Sequence, residues 1–245
     1  MRSSAEKPSW LRVVARALRS ANDRHDLVSE LRRRWRGEPK LPRGPIGNVM
    51  VICQGNICRS PFAERQLAAR CPHLEVRSAG LKAREGDPVQ PGALRVGSEF
   101  GIDLVDHAAH RLDESDIEWA DLIIAMQGWH EASIWRHWPA GKAKVRLLGD
   151  FLPSAPHAVD DPWGGTDELF RVIFEKISRA NARLSELLAA EEECGAGPAR
   201  PAQSTAHPVG RVSRKPKAKD HTRPFGLLDG PSPNGPASRG RAVAG

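Results

Sequence analysis

The chain has 245 residues, 40% of them hydrophobic, which is enough for one large or two small domains with packed cores. Its formal net charge of +7 is unevenly spread: residues 1–45 and 195–245 each carry +7, whereas residues 46–194 carry −7. No stretch is long and apolar enough to span a bilayer or to serve as the core of a secretion signal, and four cysteines make no disulfide framework at this length, so membrane-spanning and disulfide-stapled secreted classes are set aside and a cytoplasmic protein is expected.

Residues 1–45 read as a basic, partly helical extension that ends in a linker. Trp10, Val14 and Leu18 share one side of a helix, and Leu27, Leu31 and Trp35 repeat the pattern after Asn22-Asp23. Arg32, Arg33 and Arg34 lie within this second helix. The plainer expectation is a helix pair that packs its apolar edge on the core and leaves its basic residues solvated. The other is docking to an anionic surface or an acidic partner. Gly37 to Pro45 is a linker by composition.

Residues 46–194 alternate strand and helix, the pattern of a parallel sheet with crossover helices. Val49 to Ile52 is an unbroken apolar run, as expected for a strand covered on both faces. Gly55 and Asn56 tolerate positive φ, so the chain can curl after Cys53. Ser60 and Pro61 read as an N-cap and first-turn pair opening a helix to Arg70. Such a loop on a helix N-terminus aims the backbone N–H groups of Gln54 through Arg59 at one point, a cradle for a tetrahedral dianion. Cys53 stands at one end of it and Arg59, whose planar fork suits two phosphate oxygens, at the other. A helix N-terminus and an Arg lower a thiol pKa, which suits attack by a thiolate on phosphorus.

Further along, Leu74–Ser78 is the second strand, and Gln90–Phe100 a helix with Ala93, Leu94 and Val96 apolar. Asp113–Trp119 is a short helix, Leu122–Met126 the third strand, Trp129–Trp138 a helix and Lys144–Leu148 the fourth strand. A last helix from Thr166 places Leu169, Ile173, Ile177, Ala180, Leu184 and Leu187 on one face. Four parallel strands would bind ligand at their carboxyl ends, where Cys53 lies. No acid or Cys at ligand spacing accompanies His107 or His110, so no metal and no cofactor is expected. Residues 195–245, rich in Pro, Gly and basic residues, read as a disordered tail. Lys215–Lys219 within it could touch nucleic acid or anionic lipid; the plainer expectation is a solubilising run, with no specific nucleic acid expected.

Cys53-Gln-Gly-Asn-Ile-Cys-Arg-Ser-Pro61 resembles the phosphate loop of the low-molecular-weight protein tyrosine phosphatases. The resemblance continues through Ser78-Ala-Gly80, Gly101-Ile-Asp-Leu104 with His107, Asp121–Met126, Val145–Phe151 and Asp161-Pro162, covering about residues 46–190. It implies a three-layer, flavodoxin-like α/β fold and a phosphomonoester hydrolase that dephosphorylates phosphotyrosine in proteins through a cysteinyl phosphate. Cys53 would be the nucleophile, Asp161 the general acid (with Asp160 as the alternative) and Ser60 a donor to the thiolate. Asn56, Ser78 and His107 would hold the loop's geometry. Cys58 could capture an oxidised Cys53 as a disulfide, which makes it the expected redox partner.

Three departures bear on substrate choice: the loop after Gly80 has no aromatic residue, Trp163 and Gly164 follow Asp-Pro where tyrosines are common, and Gln127 follows Met126 where an acid is common. A protein arginine phosphatase is the alternative, although members with that preference tend to have Thr at the position of Ile57. A thioredoxin-coupled arsenate reductase needs two further cysteines that are missing between Cys71 and Cys194. A non-catalytic phosphate-binding module would have no use for Asp161. Since neither end supplies a residue of the constellation, residues 46–194 are expected to hold the chemistry unaided.

Overall fold

A computed structural model of the chain describes residues 21–36, 40–153 and 156–194. The expected helix at Trp10–Leu18 and the tail 195–245, with Lys215–Lys219, lie outside the described residues, as do 37–39 of the linker.

The apolar run becomes the central strand, β1 (Asn48–Cys53), buried from Val49 onward. It pairs in parallel with β2 (Glu75–Gly80) on one side and β3 (Leu122–Ala125) on the other, and β4 (Val145–Leu147) pairs in parallel with β3, giving the order β2-β1-β3-β4. The two-residue period of the strand sends Val49, Val51 and Cys53 to one face and Met50 and Ile52 to the other.

Over the first face lie α2 (Arg59–Arg70), α3 (Pro91–Glu99) and α6 (Asp167–Cys194), whose Phe62 and Phe174 stack with ring centroids 3.9 Å apart. Over the second lie α4 (Glu114–Trp119) and α5 (Gly128–His137), with Ile117 and Ile134 closing on Met50, Ile52 and Ile123. The result is the expected three-layer α/β arrangement.

Local differences from the sequence reading have physical causes. In α6 the buried stripe is Phe170, Ile173, Phe174, Ile177, Ala180, Leu184 and Leu188, while Leu169 is exposed and Leu187 only partly covered. Stacking of Phe174 on Phe62 sets the rotation of that helix. Ser60 is not the N-cap of α2: the helix opens at Arg59 and the capping residue is Cys58, without a side-chain cap bond. The Ser60 hydroxyl is used elsewhere, as described below.

Helix α1 (Ala21–Arg36) packs against α5, but with the opposite face from the one its apolar residues mark. Leu31 and Trp35 are 47% and 90% exposed, whereas Ser29 and Glu30 are 4% and 8% exposed. The face turned inward is polar, and it is paid for by polar partners on α5 and on the segment after β4.

Candidate active site

β1 ends at Cys53, directly opposite Gly80 of β2, and the chain then curls over the carboxyl edge of the sheet into α2. The curl requires one residue with positive φ, and Asn56 takes it, with φ of 55°. Gly55 does not. Gly80 is required for another reason: a Cβ there would lie 2.9 Å from the Asn56 nitrogen and 2.9 Å from the Gln54 oxygen. The loop therefore rests on bare backbone.

Four carbonyls of this loop face outward. Those of Cys53, Gln54 and Ile57 accept from the N–H groups of Leu81, Lys82 and Gln90 at 3.0, 2.8 and 2.9 Å. That of Asn56 accepts from His107 Nε2 at 2.8 Å. In a trans peptide the C=O and the next N–H point in opposite directions. The N–H groups of Gln54, Gly55, Ile57 and Cys58 consequently turn to the inner side of the curl. This is the cradle expected from the sequence, assembled on the positive end of α2. The Asn56 N–H is the exception, directed 3.2 Å to the Cys53 sulfur.

A polar network fixes the sulfur from below. Asn56 Nδ2 donates to Ser60 Oγ at 2.9 Å and to Ser78 Oγ at 2.8 Å, and Ser78 in turn donates to Glu64. Because Ser60 Oγ already accepts from Asn56, its own proton is available to Cys53 Sγ, 3.0 Å away. Two donors thus face the sulfur, as a thiolate requires. Asn56 Oδ1 accepts from the backbone N–H of His110 at 2.8 Å. Burial holds the His107 ring below its ordinary pKa, so it stands neutral and donates to the Asn56 carbonyl. Burial pushes the Glu64 carboxyl up, which suits its place at the closed end of the chain of hydroxyls.

Arg59 lies beneath this layer, 1% exposed. Its Nη1 is tied to Gln127 Oε1 at 2.7 Å and to the Val159 carbonyl at 2.9 Å. Its Nη2 meets the Asp161 carboxylate at 2.7 Å. Its Nε, though buried, has no hydrogen-bond partner among the described residues. The Nε–Nη2 edge is the side of a guanidinium that grips two oxygens of a carboxylate or phosphate. Here one end is anchored by neutral acceptors and the gripping edge holds a single anionic oxygen.

Asp161 comes from the loop after β4, is exposed, and accepts the Trp163 N–H at 3.2 Å. Trp163 itself is 68% exposed. Cys58, the expected redox partner, is 3% exposed, and burial, reinforced by Cys53, pushes its thiol above the ordinary range. The three described cysteines, Cys53, Cys58 and Cys71, are free thiols.

The structure thus brings together Cys53, the loop from Gln54 to Arg59, Ser60, Ser78, His107 and Asp161. The sequence reading marked Gln127 only as a departure bearing on substrate choice, and it missed the Val159 carbonyl, Glu64 and the His110 backbone. None carries a periodic or spacing signal, since each reaches the site from a separate element. One premise is corrected: acids do accompany His110, whose Nε2 lies 2.9 Å from Asp116 Oδ2, and donor atoms of His110, Asp113 and Asp116 fall within 4.8 Å of one another. Those carboxylates are engaged in the capping box of α4, where Asp113 accepts the Asp116 N–H and Asp116 accepts the Asp113 N–H.

The pattern of the low molecular weight phosphotyrosine protein phosphatase family matches residues 48–194. The probable low molecular weight protein-tyrosine-phosphatase AmsI of Erwinia amylovora is 33% identical over 135 residues, 55% of this chain and 92% of that one. The protein-arginine-phosphatase of Geobacillus stearothermophilus is also 33% identical, over 145 residues, 59% of this chain and 97% of that one. Among solved structures, AmsI superposes with a TM-score of 0.58 at 30% identity, covering 61% of this chain and 98% of that one. The YwlE arginine phosphatase of Geobacillus stearothermophilus gives 0.59 at 31% identity, covering 63% and 100%.

Proposed function

The chain belongs to the low molecular weight phosphotyrosine protein phosphatase family, and we propose that it hydrolyses phosphotyrosine in proteins with Cys53 as nucleophile, Arg59 as phosphate clamp and Asp161 as general acid. The observation that supports this most is the guanidinium of Arg59: buried, anchored through Nη1, and with an Nε that has no partner among the described residues beside an Nη2 that holds Asp161. A phosphate dianion can supply two oxygens to this edge, one to Nε and one to Nη2 in place of Asp161, and the inward N–H groups supply donors for the rest of its charge.

The steps follow from the positions. The arriving phosphate takes over Nη2, which frees the Asp161 carboxylate to take up a proton from solvent and to face the leaving group. Cys53 Sγ attacks phosphorus opposite the phenolic oxygen. As the P–O bond breaks, Asp161 passes its proton to that oxygen. Water then attacks the cysteinyl phosphate, Asp161 takes the proton, the S–P bond breaks and inorganic phosphate leaves. The Ser60 hydroxyl, 3.0 Å from the sulfur, stabilises the departing thiolate. Catalysis needs Cys53 reduced, so a reducing, cytoplasmic setting is part of the same reading.

A protein arginine phosphatase is the second reading, favoured by the relative from Geobacillus stearothermophilus, which is as similar in sequence as AmsI. Ile57 argues for tyrosine, since its hydrocarbon side chain suits a flat ring better than a charged guanidinium. Peptides bearing phosphotyrosine, phosphoarginine or phosphoserine separate the two. The highest kcat/KM is expected on phosphotyrosine, and a highest value on phosphoarginine would install the second reading. Asp161→Asn should lower kcat on phosphotyrosine by ~10²–10⁴-fold and less on p-nitrophenyl phosphate, whose leaving group departs readily as an anion. Hydrolysis surviving in Cys53→Ser would overturn the mechanism.

A further inference from the structure

Helix α1 meets the core through Asp26, Ser29, Glu30 and Arg33, spaced i, i+3, i+4 and i+7 along one helical face. The Asp26 carboxylate accepts from Gln127 Nε2 and from the Trp129 N–H, each at 3.2 Å. Ser29 Oγ donates to Glu131 at 2.8 Å. Glu30 accepts from the backbone N–H of His157 at 3.0 Å and from its Nδ1 at 2.9 Å. Arg33 pairs with Asp150. The approach is close because position 128 is glycine: a Cβ there would fall 2.7 Å from the Ser29 Cβ and 2.9 Å from the His25 carbonyl.

These contacts converge on one residue. Gln127 and Val159 are the two anchors of Arg59 Nη1. Asp26 holds the first of them, and Glu30 holds His157, two residues before the second and four before Asp161. The orientation of the Gln127 amide is set by its neighbours. Arg59 has only donors to offer and Asp26 only acceptors, so Oε1 must face the guanidinium and Nε2 the carboxylate. Gln127 is 7% exposed, so an amide that lost Asp26 would be left with a buried, unsatisfied NH₂ group. A turn of that amide to find another acceptor would set donor against donor at Arg59.

We propose that α1 is a working part of the catalytic site, in which Asp26 orients Gln127 and thereby the Arg59 guanidinium, while Glu30 and Arg33 hold the loop that carries Asp161. Asp26 and Gln127 are positioning residues that act on phosphate binding through Arg59. The proposal rests on the reading of Arg59 as the phosphate clamp, and its test is arranged so that the two can fail separately.

The measurement is the affinity of the full-length protein for inorganic phosphate by titration calorimetry, with kcat and KM on p-nitrophenyl phosphate and a melting curve for each variant. Asp26→Ala should weaken phosphate binding by about tenfold, the scale of one lost hydrogen bond in a charge-assisted chain. Asp26→Asn keeps one acceptor for Gln127 but loses the one for Trp129, so a loss of about threefold is expected. In a Gln127→Ala background, Asp26→Ala should add no further loss, because the path runs through that amide. Losses from Asp26→Ala and Gln127→Ala that multiply would overturn the proposal. So would a lowered melting temperature with phosphate affinity unchanged. Should Asp26→Ala not fold, Asp26→Asn decides alone, and wild-type affinity in it counts against the proposal. A wild-type protein that binds no phosphate would remove the clamp reading, and this proposal with it.

Discussion

Arg59 shows how much of a site one buried charge can organise. It takes neutral acceptors at Nη1 and an anion at Nη2, and its field reaches His130, one turn into the next layer. His130 is fully buried against Trp129, with ring centroids 4.1 Å apart, and neither ring nitrogen has a hydrogen-bond partner among the described residues. Burial first, and the Arg59 charge second, hold its pKa well below the ordinary 6.5. A histidine depressed in this way is neutral in the folded state and charges in the unfolded one, so the unfolded state binds more protons. Its contribution is therefore present above about pH 6.5 and is lost as pH falls toward the folded value. His107, lowered by burial, acts in the same sense, whereas half-exposed His110 is raised by Asp116 and Glu85 against its own desolvation and acts in the opposite one. His130→Leu should then flatten the acid limb: the stability lost between pH 7 and pH 5, from urea unfolding, should shrink by about 1–2 kcal/mol relative to wild type. Equal acid losses in the two proteins would show that His130 is not what titrates. Cys53, Arg59 and Asp161, the residues proposed for the chemistry, can be picked out in the sequence because the loop that carries the first two is continuous and the third stands beside a proline. His130 was not, because its significance depends on what surrounds it.

At the scale of elements, the loop between β1 and α2 is held by two different properties of Asn56, and they can be separated. Its backbone sits at φ of 55°, which disfavours most side chains, and its amide makes three hydrogen bonds, to Ser60, Ser78 and the His110 N–H. Asn56→Gly relieves the backbone but removes the amide, whereas Asn56→Ala removes the amide and adds about 1–2 kcal/mol of left-handed strain. Both variants should lose activity on p-nitrophenyl phosphate, since Ser60 loses the donor that directs its proton to Cys53. Asn56→Ala should in addition unfold at lower denaturant than Asn56→Gly, by about 1 kcal/mol or more. If Asn56→Gly kept full kcat, the network would be ornamental and the loop shape sufficient. The sequence read this element well because strand, curl and helix each left a local mark: an apolar run, Gly-Asn, Ser-Pro. The plainer reading of α1, its apolar edge on the core, is the wrong way round for a related reason. Hydrophobic periodicity picks out Leu27, Leu31 and Trp35, and the polar row Asp26, Ser29, Glu30 and Arg33 carries no such signal until its partners on Gln127, Trp129, Glu131, His157 and Asp150 are in place.

For the molecule as a whole, the question is where the catalytic unit begins. Charge and composition put its edge near residue 46, after a basic extension and a Pro-Gly linker, and the family pattern likewise starts at residue 48. The packing puts it further back, since α1 covers Gly128 and meets Gln127, one support of Arg59, and His157, two residues before the other. The two views predict different behaviour for a chain that starts at residue 46. If the extension were only an appendage, that chain would match the full protein in kcat, KM and stability. With α1 as support, the sheet and its helices should still form, because the buried members of both apolar clusters lie within residues 49–188. Gln127, Glu131, His157 and Asp150 would then lose their partners on α1 together, and unfolding should come easier by about 2–4 kcal/mol, at about 1 kcal/mol for each polar contact removed. On p-nitrophenyl phosphate the shortened chain should show a raised KM, since the anchor on Arg59 is slackened, with kcat/KM down by about tenfold or more. Adding back residues 1–45 as a separate peptide should restore part of that loss, because the contacts are noncovalent. Unchanged KM and stability in the shortened chain would return the boundary to residue 46.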